Sequence, residues 1–281
     1  MSDATGSRAR FNATNVTRSS APLGLRADGV SVVYRPHRRQ PVEAVTDATL
    51  NLAPGEVLGI VGESGSGKSS LARVLAGLVA PSDGQVATVD GTGRDVERVG
   101  RQGRGFRGVQ LIMQDSINAL NPRLVAWKSV AEALSAGRSV GSRWRTPACA
   151  LLGTVGITEE QSRRLPAELS GGQRQRVCIA RAMAAAPAVL VCDEIVSALD
   201  VLVRARILDL LQGLRSDYGL AMIFVSHDLA VVAHLTDRIA IMQSGQIVEQ
   251  GITAEVFHAP QTAYARMLVE SVPSFELGDV R

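Results

Sequence analysis

The segment Gly62–Ser69, which reads Gly-Glu-Ser-Gly-Ser-Gly-Lys-Ser, limits the possible folds of this chain more than any other stretch. It follows the apolar run Val57–Val61 and precedes Leu71–Ala76, whose apolar residues have helical spacing. In a turn between a strand and a helix, glycines let successive backbone N–H groups point at one anion, and the helix dipole adds its positive end. The order of these features therefore predicts a loop that holds phosphate groups.

Two side chains of this loop can act on a bound nucleotide. Lys68 can reach the β- and γ-phosphates as a point charge, and the hydroxyl of Ser69 can bind the Mg²⁺ that bridges them. The chain has only one other lysine, Lys128, so Lys68 is not one of many surface lysines. The alternative, a glycine-rich surface turn that matches by chance, is disfavoured by the flanking strand and helix. The residues expected at the phosphates are Gly62, Glu63, Ser64, Gly65, Ser66, Gly67, Lys68, Ser69 and Ser70.

The composition is that of a folded protein with one large α/β domain, or with a domain that carries an inserted subdomain. Of the 281 residues, 46% are hydrophobic and 20% are charged, and a net charge of +3 is too small to indicate nucleic-acid binding. Cys149, Cys178 and Cys192 lack metal-binding spacing and are predicted to be reduced. Because no apolar run approaches the roughly 20 residues of a membrane helix, we expect a soluble chain whose membrane association comes through a partner.

The N-terminal part contains a predicted leader and two predicted strands. Residues 1–24 are rich in Ser, Thr, Asn, Ala and Arg without apolar periodicity, and we interpret them as a disordered leader. Strands are predicted at Leu25–Tyr34 and Val42–Leu52. Tyr34 ends the first strand, and with aromatic residues at only 4% of the chain it is a candidate platform for a nucleobase. The alternative is a tyrosine at a sheet edge with no ligand.

A further polar candidate follows a strand later in the chain. Residues 80–108 contain Pro81–Gly84 and many Gly and Arg residues, and we expect turns and a small antiparallel hairpin there rather than core. Val109–Met113 is predicted to be a strand that delivers Gln114 at its carboxyl end. A polar residue at that position faces the crevice where α/β sheets bind ligands.

The middle of the chain, residues 115–168, is predicted to be a mainly helical insert. Val125–Leu134 and Ala148–Val155 have helical apolar spacing. After the insert, a helix is predicted at Arg174–Ala185, with Ser170 as its cap. The two glycines that follow Ser170 allow the backbone to approach an anion closely.

Two adjacent carboxylates, Asp193 and Glu194, follow the apolar run Ala188–Cys192, which is typical of a central parallel strand. Asp193 is predicted to hold Mg²⁺ directly or through water. Glu194 is predicted to point to the other side and to polarise an attacking water. The alternative is a pair of acids that cap a helix.

A histidine occupies the equivalent position after another buried strand. Ser197–Asp200 turns the chain into a predicted helix at Val203–Tyr218, and Ala221–Val225 is predicted to be the strand. His227 comes directly after that strand and its serine, which makes it a candidate sensor of the γ-phosphate; the alternative is a structural histidine. The chain is then predicted to form a hairpin at Arg238–Gln250 and a closing helix at Pro260–Val269.

These motifs together give residues 25–275 a resemblance to the ATP-binding subunits of ABC transporters. The resemblance implies an α/β fold, namely a P-loop NTPase core with an N-terminal antiparallel β-subdomain and an inserted α-helical subdomain at 115–168. A signature helix at 169–185 and a tail at 276–281 complete this organisation. The matching residues are Gly62–Ser69 (Walker A), Gln114 (Q-loop), Leu169, Ser170, Gly171, Gly172 and Gln173 (signature), Val189–Glu194 (Walker B), Ser197, Ala198, Leu199 and Asp200 (D-loop), His227 (switch histidine) and Tyr34 (adenine-stacking aromatic).

The resemblance also implies ligands and roles. It implies ATP and Mg²⁺ at the site, and a head-to-tail dimer with a second ATPase subunit, homologous or identical. Each subunit's signature residues would close the ATP held by the other. The implied catalytic residues are Lys68, Glu194 and His227, and the implied Mg²⁺ ligands are Ser69, Gln114 and Asp193.

A finer resemblance is to the subfamily that drives dipeptide, oligopeptide and nickel importers. It rests on Gln114-Asp115 followed by Leu120–Arg123, and on the tail Val256–Pro260 with Tyr264 and Pro273. Two departures are visible: Ser116 stands where that subfamily usually has proline, and Ile195-Val196 where many ABC proteins have Pro-Thr. Neither removes a catalytic group.

The implied partners are integral membrane permease subunits and, indirectly, an extracytoplasmic solute-binding protein, with no nucleic acid. The implied location is the cytoplasmic face of a bacterial cell membrane, as a peripheral subunit. The alternative is a soluble ABC ATPase acting on nucleic acid or the ribosome. Such proteins usually carry tandem ATPase units, a long coiled-coil insertion or zinc-binding cysteines, and the sequence shows none of these. A regulatory ATPase without a transporter is a third possibility.

Overall fold

The structure is a computed structural model that describes residues 22–35, 40–98, 105–136 and 139–272. Most of the expected leader, the expected tail at 276–281 and Pro273 lie outside the described residues. Residues 99–104 of the Gly- and Arg-rich run also lie outside them.

Strands and helices alternate along most of the described chain. The strands are β1 (Gly24–Tyr34), β2 (Val42–Leu52), β3 (Val57–Val61), β4 (Asp83–Val89), β5 (Asp95–Arg98), β6 (Val109–Ile112), β7 (Val189–Asp193), β8 (Ala221–Ser226), β9 (Arg238–Gln243) and β10 (Gln246–Ile252). The α-helices are α1 (Lys68–Leu75), α2 (Ser116–Ala119), α3 (Ala126–Leu134), α4 (Arg145–Thr154), α5 (Glu159–Ser162), α6 (Gly171–Met183), α7 (Val201–Tyr218), α8 (Leu229–Leu235), α9 (Thr253–His258) and α10 (Ala263–Glu270).

The chain divides into two compact units. One is helical and comprises Leu120–Ala186. The other contains all the strands and is built from the described residues on either side of that stretch. Since α2 belongs to the strand-containing unit, the helical unit begins after it.

A six-stranded sheet with the order β10-β9-β3-β8-β7-β6 carries the site. Neighbouring strands from β9 to β6 are parallel, and only β10 is antiparallel. Every residue of β3, β7 and β8 is buried, as expected for parallel strands covered on both faces. The carboxyl ends of β3, β8, β7 and β6 therefore lie side by side at one edge, where α/β sheets bind ligands.

A second sheet is antiparallel, with the order β2-β1-β4-β5. The predicted hairpin between residues 80 and 108 is confirmed by the antiparallel pair β4 and β5. The expectation that this region avoids the core is wrong, because β4 also pairs with β1 and buries Val86–Val89. Because Val86–Val89 are all buried, the strand lacks the alternation of apolar and polar residues that identifies a half-buried strand. The many glycines nearby indicated turns instead.

One hydrophobic core in this unit draws on both sheets and on α1. The core-facing residues of α1 are Leu71, Ala72, Val74 and Leu75, each with no exposed surface. Burying the Leu and Val side chains contributes about 1.5–3 kcal/mol each and fixes the start of α1 against the sheet. The facing residues include Leu25, Ala27, Val30, Leu58, Ile60, Val191, Ile223 and Val225.

In the helical unit, α3, α4 and α6 contact one another. Val130 of α3, Leu152 of α4, and Val177 and Ile179 of α6 have no exposed surface. Helix α6 begins at Gly171, three residues before the predicted start, because its first-turn N–H groups are satisfied by a cap.

Candidate nucleotide-hydrolysis site

At two positions in the loop between β3 and α1, only glycine can adopt the observed backbone conformation and fit the space. Gly62 has a φ of 152° and Gly67 a φ of 100°. A Cβ atom at Gly62 would lie 2.1 Å from the carbonyl oxygen of Met242, and one at Gly67 would lie 2.1 Å from that of Ala44. The loop is therefore clamped between β2 and the end of β9, with its backbone turned as a phosphate cradle requires.

Lys68, the first residue of α1, is folded back over this loop. Its Nζ atom donates hydrogen bonds to the carbonyl oxygens of Gly62 at 2.8 Å and Glu63 at 2.7 Å. The residue is only 3% exposed, and burial lowers the pKa of its ammonium group, although Glu194 and Asp193 raise it. A charge that is largely desolvated and held mainly by neutral carbonyls is stabilised further by an anion. Lys68 therefore fits the phosphates of a nucleotide.

Ser69 and Asp193 form the centre of the site. The Ser69 hydroxyl donates a 2.9 Å hydrogen bond to Oδ1 of Asp193. Burial raises the pKa of the Asp193 carboxyl and Glu194 raises it further, while the bond from Ser69 opposes the rise. Mg²⁺ takes one or two protein oxygens together with substrate phosphates. A hydroxyl beside a partly desolvated carboxylate, at the edge of a phosphate cradle, fits that ion.

Glu194 occupies an unusual backbone conformation with a φ of 49°. For a residue other than glycine this left-handed region costs about 1–2 kcal/mol. The backbone N–H of Glu194 donates to the carbonyl oxygen of Val225 at 3.0 Å, which holds the turn beside β8. The chain thus leaves β7 abruptly, and the two adjacent carboxylates diverge.

Two predicted residues, Gln114 and His227, meet at one side-chain oxygen of Glu194. The Nε2 atom of Gln114 lies 3.0 Å from its Oε2 atom, and Nδ1 of His227 lies 3.4 Å from the same atom. Gln114 follows β6 and His227 follows β8, the strands on either side of β7. The Glu194 side chain is 15% exposed and the His227 side chain 55%, so the cluster opens to solvent on the histidine side.

The D-loop is attached to the backbone of Glu194 by a hydrogen bond from Ser197. The Ser197 hydroxyl donates to the Glu194 carbonyl oxygen at 2.9 Å, and Nε2 of Gln114 lies 3.4 Å from that hydroxyl oxygen. Asp200 caps α7 by accepting a 3.0 Å bond from the N–H of Val203, so α7 starts two residues earlier than predicted. Ala198 and Leu199 lie within this turn, which is closed by a bond from the Leu199 N–H to the Val196 carbonyl.

The departure from Pro-Thr after Glu194 is accommodated by packing. Ile195 and Val196 are each 2% exposed. Both are aliphatic side chains in the protein interior, where such residues are usually found.

Tyr34 lies beside the start of α1. It ends β1, is 36% exposed, and its Oη atom is 3.3 Å from Oγ of Ser70. The structure therefore brings Tyr34 to the nucleotide loop and leaves part of the ring accessible. Its role as a stacking platform remains a prediction.

The signature residues form the start of α6 in the helical unit. Ser170 accepts a bond from the N–H of Gln173 at 3.3 Å, and the Gln173 side chain accepts one from the N–H of Ser170 at 2.9 Å. This reciprocal pair is a capping box, and it confirms Ser170 as the predicted cap. Leu169 is buried, and Gly171 and Gly172 make the first turn of the helix.

Two contacts at the site involve residues whose roles the sequence did not indicate. The hydroxyl of Tyr264 accepts a 3.2 Å bond from the N–H of Glu63 in the phosphate loop. Arg204 on α7 pairs with Asp228, which caps α8 directly after His227. Tyr264 was visible in the tail motif, but its partner lies 201 residues away along the chain. Arg204 carries no motif that could have identified it.

Within the described part of the chain, no three His, Cys, Asp or Glu side chains cluster closely enough to hold a metal ion by themselves. A divalent ion at Ser69 and Asp193 would thus need further ligands, such as phosphate oxygens or waters. None of the described helices is both long and apolar enough to span a membrane.

A parallel sheet with a phosphate loop after one strand and carboxylates after another defines a P-loop nucleoside triphosphatase. The chain belongs to the ABC transporter family, whose model matches residues 45–197. It is accordingly an ATPase of that family and binds adenine nucleotide.

Several curated relatives carry transport names. The chain is 44% identical over 236 residues to the probable D,D-dipeptide transport ATP-binding protein DdpF of Escherichia coli strain K12, covering 84% of this chain and 72% of that protein. It is 42% identical over 252 residues to the oligopeptide transport protein OppF of the same strain, covering 88% and 73%. It is 43% identical over 234 residues to OppD of Mycobacterium tuberculosis strain H37Rv, but there it spans only 38% of the relative's length.

Solved structures confirm the predicted fold class. A dimeric ATP-binding cassette in a post-hydrolysis state, MJ0796 bound to ADP and Pi, matches with a TM-score of 0.70 and 27% identity. The match covers 82% of this chain and 98% of that chain. A second dimeric structure of the same bacterial ABC transporter cassette matches with a TM-score of 0.68 and 28% identity.

Proposed function

We propose that this chain is the ATP-hydrolysing subunit of an importer for dipeptides, oligopeptides or a related small solute such as nickel. The observation that carries the hydrolytic role is the meeting of Gln114 and His227 at Oε2 of Glu194, beside the Ser69–Asp193 pair. The solute class rests on relatives named for dipeptide and oligopeptide transport, at 42–44% identity.

In this proposal the phosphate loop and the buried lysine hold the nucleotide. Lys68 keeps its bonds to the carbonyl oxygens of Gly62 and Glu63 and donates its remaining N–H to a phosphate oxygen, whose negative charge offsets the desolvation that lowers the pKa of Lys68. Tyr34 stacks on the adenine. Ser69, Asp193 and Gln114 would hold Mg²⁺, which neutralises charge on the phosphate oxygens when bound.

Glu194 is the residue that acts on water. A carboxylate within hydrogen-bond reach of a water can orient it and accept its proton as the water oxygen bonds to the γ-phosphorus, while the bond from that phosphorus to the bridging oxygen breaks and ADP leaves. Gln114 and His227 keep that carboxylate in place from the two neighbouring strand ends. The strained backbone at Glu194 supports this role, because such conformations concentrate at functional sites.

A complete site needs a second ATPase subunit, identical or homologous. The signature residues of one subunit would cover the ATP held by the other, with the D-loop at the same interface. ATP contacts made only in the closed dimer would shift the population toward closure, and hydrolysis would reopen it. The dimeric state of both similar structures supports this arrangement.

We further propose integral membrane permease subunits as partners, docking near Gln114 and the helical unit. An extracytoplasmic solute-binding protein would deliver the solute indirectly, and the chain would lie at the cytoplasmic face of a bacterial membrane. The names of the relatives support this placement.

The test is purification of the intact complex from native membranes through a tag on this chain. We expect recovery of permease subunits and a second ATPase subunit, followed by a binding protein whose bound solute is identified by mass spectrometry. Recovery with ribosomes or nucleic acid would favour the soluble alternative. Recovery without any membrane subunit would favour a regulatory ATPase and contradict the importer.

A further inference from the structure

Helix α10 contacts the phosphate loop through Tyr264. Tyr264 lies in the first turn of α10 and is 9% exposed. Its hydroxyl oxygen accepts a 3.2 Å hydrogen bond from the backbone N–H of Glu63, the second residue of the loop. The bond therefore joins two segments that no local sequence pattern connects.

The peptide group that Tyr264 contacts is one of the two whose carbonyl oxygens accept hydrogen bonds from Lys68. The carbonyl oxygen of Gly62 and the N–H of Glu63 belong to the same peptide unit. Lys68 donates to that carbonyl at 2.8 Å, while Tyr264 accepts from that N–H at 3.2 Å. Because the peptide unit is planar, fixing the direction of its N–H also fixes the direction of its C=O.

The position of Tyr264 is itself fixed by a carboxylate on β10. Glu249 accepts bonds from the N–H of Gln261 at 2.9 Å and from the N–H and hydroxyl of Thr262, both at 2.8 Å. The Thr262 hydroxyl oxygen in turn accepts a 3.1 Å bond from the N–H of Ala265 and caps α10. The first turn of α10 is thereby attached to the edge strand of the main sheet.

We propose that Tyr264 is a positioning residue for nucleotide binding: it sets the Gly62–Glu63 peptide, and through it the Lys68 ammonium, with Glu249 as its anchor. This inference rests on the proposed role of Lys68 toward the phosphates. Tyr264 makes no contact with Glu194, so its influence falls on affinity. Without the hydroxyl, the peptide turns toward water, and part of the binding free energy is spent on ordering the loop again.

The test is Tyr264→Phe in the full chain, which keeps the buried ring and removes only the hydroxyl. We expect the Kd for Mg-ATP, measured by titration calorimetry, to rise about two- to tenfold, the range that one neutral hydrogen bond accounts for. The KM for ATP should rise in parallel, while kcat and the melting temperature without nucleotide stay near the parent values. Glu249→Gln should raise Kd in the same direction by a smaller factor.

Two controls separate the possible outcomes. Tyr218→Phe makes the same change at the end of α7, before the amino end of β8 and thus at the sheet edge opposite the site, and should leave Kd unchanged. Lys68→Ala should abolish measurable binding. If Lys68→Ala binds weakly and Tyr264→Phe keeps the parent affinity, Tyr264 only fastens α10 and the inference is wrong. If Lys68→Ala keeps the parent affinity, the proposed function and the inference both fail.

Discussion

The hydroxyl of Ser69 donates a 2.9 Å hydrogen bond to Oδ1 of Asp193 and so joins the start of α1 to the end of β7. These residues are 124 positions apart, and the parallel arrangement of β3, β8 and β7 brings them to one edge of the sheet. Burial and Glu194 raise the pKa of Asp193, although the bond from Ser69 opposes the rise. The folded chain therefore carries an electrostatic cost at this point, which a bound cation would relieve.

Asp193→Asn should show separately how the charge of Asp193 affects the stability of the unliganded chain and how it affects Mg²⁺ binding. Asparagine keeps an oxygen that accepts from Ser69 and removes the charge beside Glu194. We expect the free energy of unfolding without ligand to rise, because the partly desolvated charge beside Glu194, which raises the pKa of Asp193, is lost. The extra stabilisation that Mg²⁺ adds to ATP should disappear in thermal unfolding. Asp209→Asn, at an exposed position on α7, is the matched control and should change neither quantity.

Lys68→Ala should remove nucleotide binding with little effect on the unliganded fold. The parent should gain about 2.7 kcal/mol of stability at a Mg-ATP concentration of 100 Kd. The variant should show no such gain, because the ammonium that meets the phosphates is missing. Lys128→Ala tests the only other lysine of the chain and should respond to Mg-ATP like the parent. If Mg-ATP stabilised Lys68→Ala as strongly as the parent, Lys68 would not be part of the nucleotide site.

Glu194→Gln should bind ATP and fail to hydrolyse it. Glutamine preserves the size of the side chain, but it is a much weaker acceptor for the proton of water. Loss of such a base lowers the rate roughly 10²–10⁴-fold. We expect phosphate release to fall by that factor and an ATP-bound dimer to accumulate in size-exclusion chromatography with light scattering. Glu132→Gln, on the exposed side of α3, is the control. If Glu194→Gln hydrolysed ATP at the parent rate, Glu194 would not be the residue that acts on water.

Gln114 and His227 should act as a unit because both contact Oε2 of Glu194. Each single substitution by alanine should lower kcat, and the double substitution should lower it by less than the product of the two factors. Residues that share a partner show interaction energies of about 0.5–3 kcal/mol, whereas independent sites add within about 0.5 kcal/mol. A double-mutant cycle on the ATPase rate measures the difference. Strict additivity would mean that the two side chains act at separate points.

The sequence predicted which polar residues would follow the buried strands of the main sheet, because the apolar pattern of those strands is distinctive. The apolar runs of β3, β7 and β8 identify strands buried on both faces, and polar residues directly after such strands must share one edge of a parallel sheet. Strands β2 and β3 begin and end at the predicted residues. This regularity is why Gln114, Glu194 and His227 could be expected near one another.

Other features depend on contacts between distant segments, or on elements too short to show a period. Helices α8 and α9, with seven and six residues, were not predicted, since two turns carry little periodicity. The left-handed backbone of Glu194 results from its bond to Val225 and has no signature in the residue type. The Tyr264 contact spans 201 residues, so only the folded chain could show it.

The anchor of α10 should weaken in acid. Burial tends to raise the pKa of the Glu249 carboxyl, but bonds from the N–H of Gln261 and from the N–H and hydroxyl of Thr262 outweigh it and hold the pKa below its ordinary value of 4.5. The folded chain thus binds fewer protons than the unfolded chain just below pH 4.5, so this contribution to stability is complete above that pH and is lost as the pH falls through the lowered value.

Glu249→Gln should accordingly be less stable than the parent by about 1–2 kcal/mol near pH 7, since hydrogen bonds to a charged acceptor are replaced by weaker ones. Urea unfolding from pH 7 to pH 3 should show this gap closing only below pH 4.5, where the parent also loses its charge. Glu270→Gln, at the other end of α10, should show no gap at any pH. If the difference in free energy of unfolding stayed constant from pH 7 to pH 3, the negative charge of Glu249 would not be what stabilises α10.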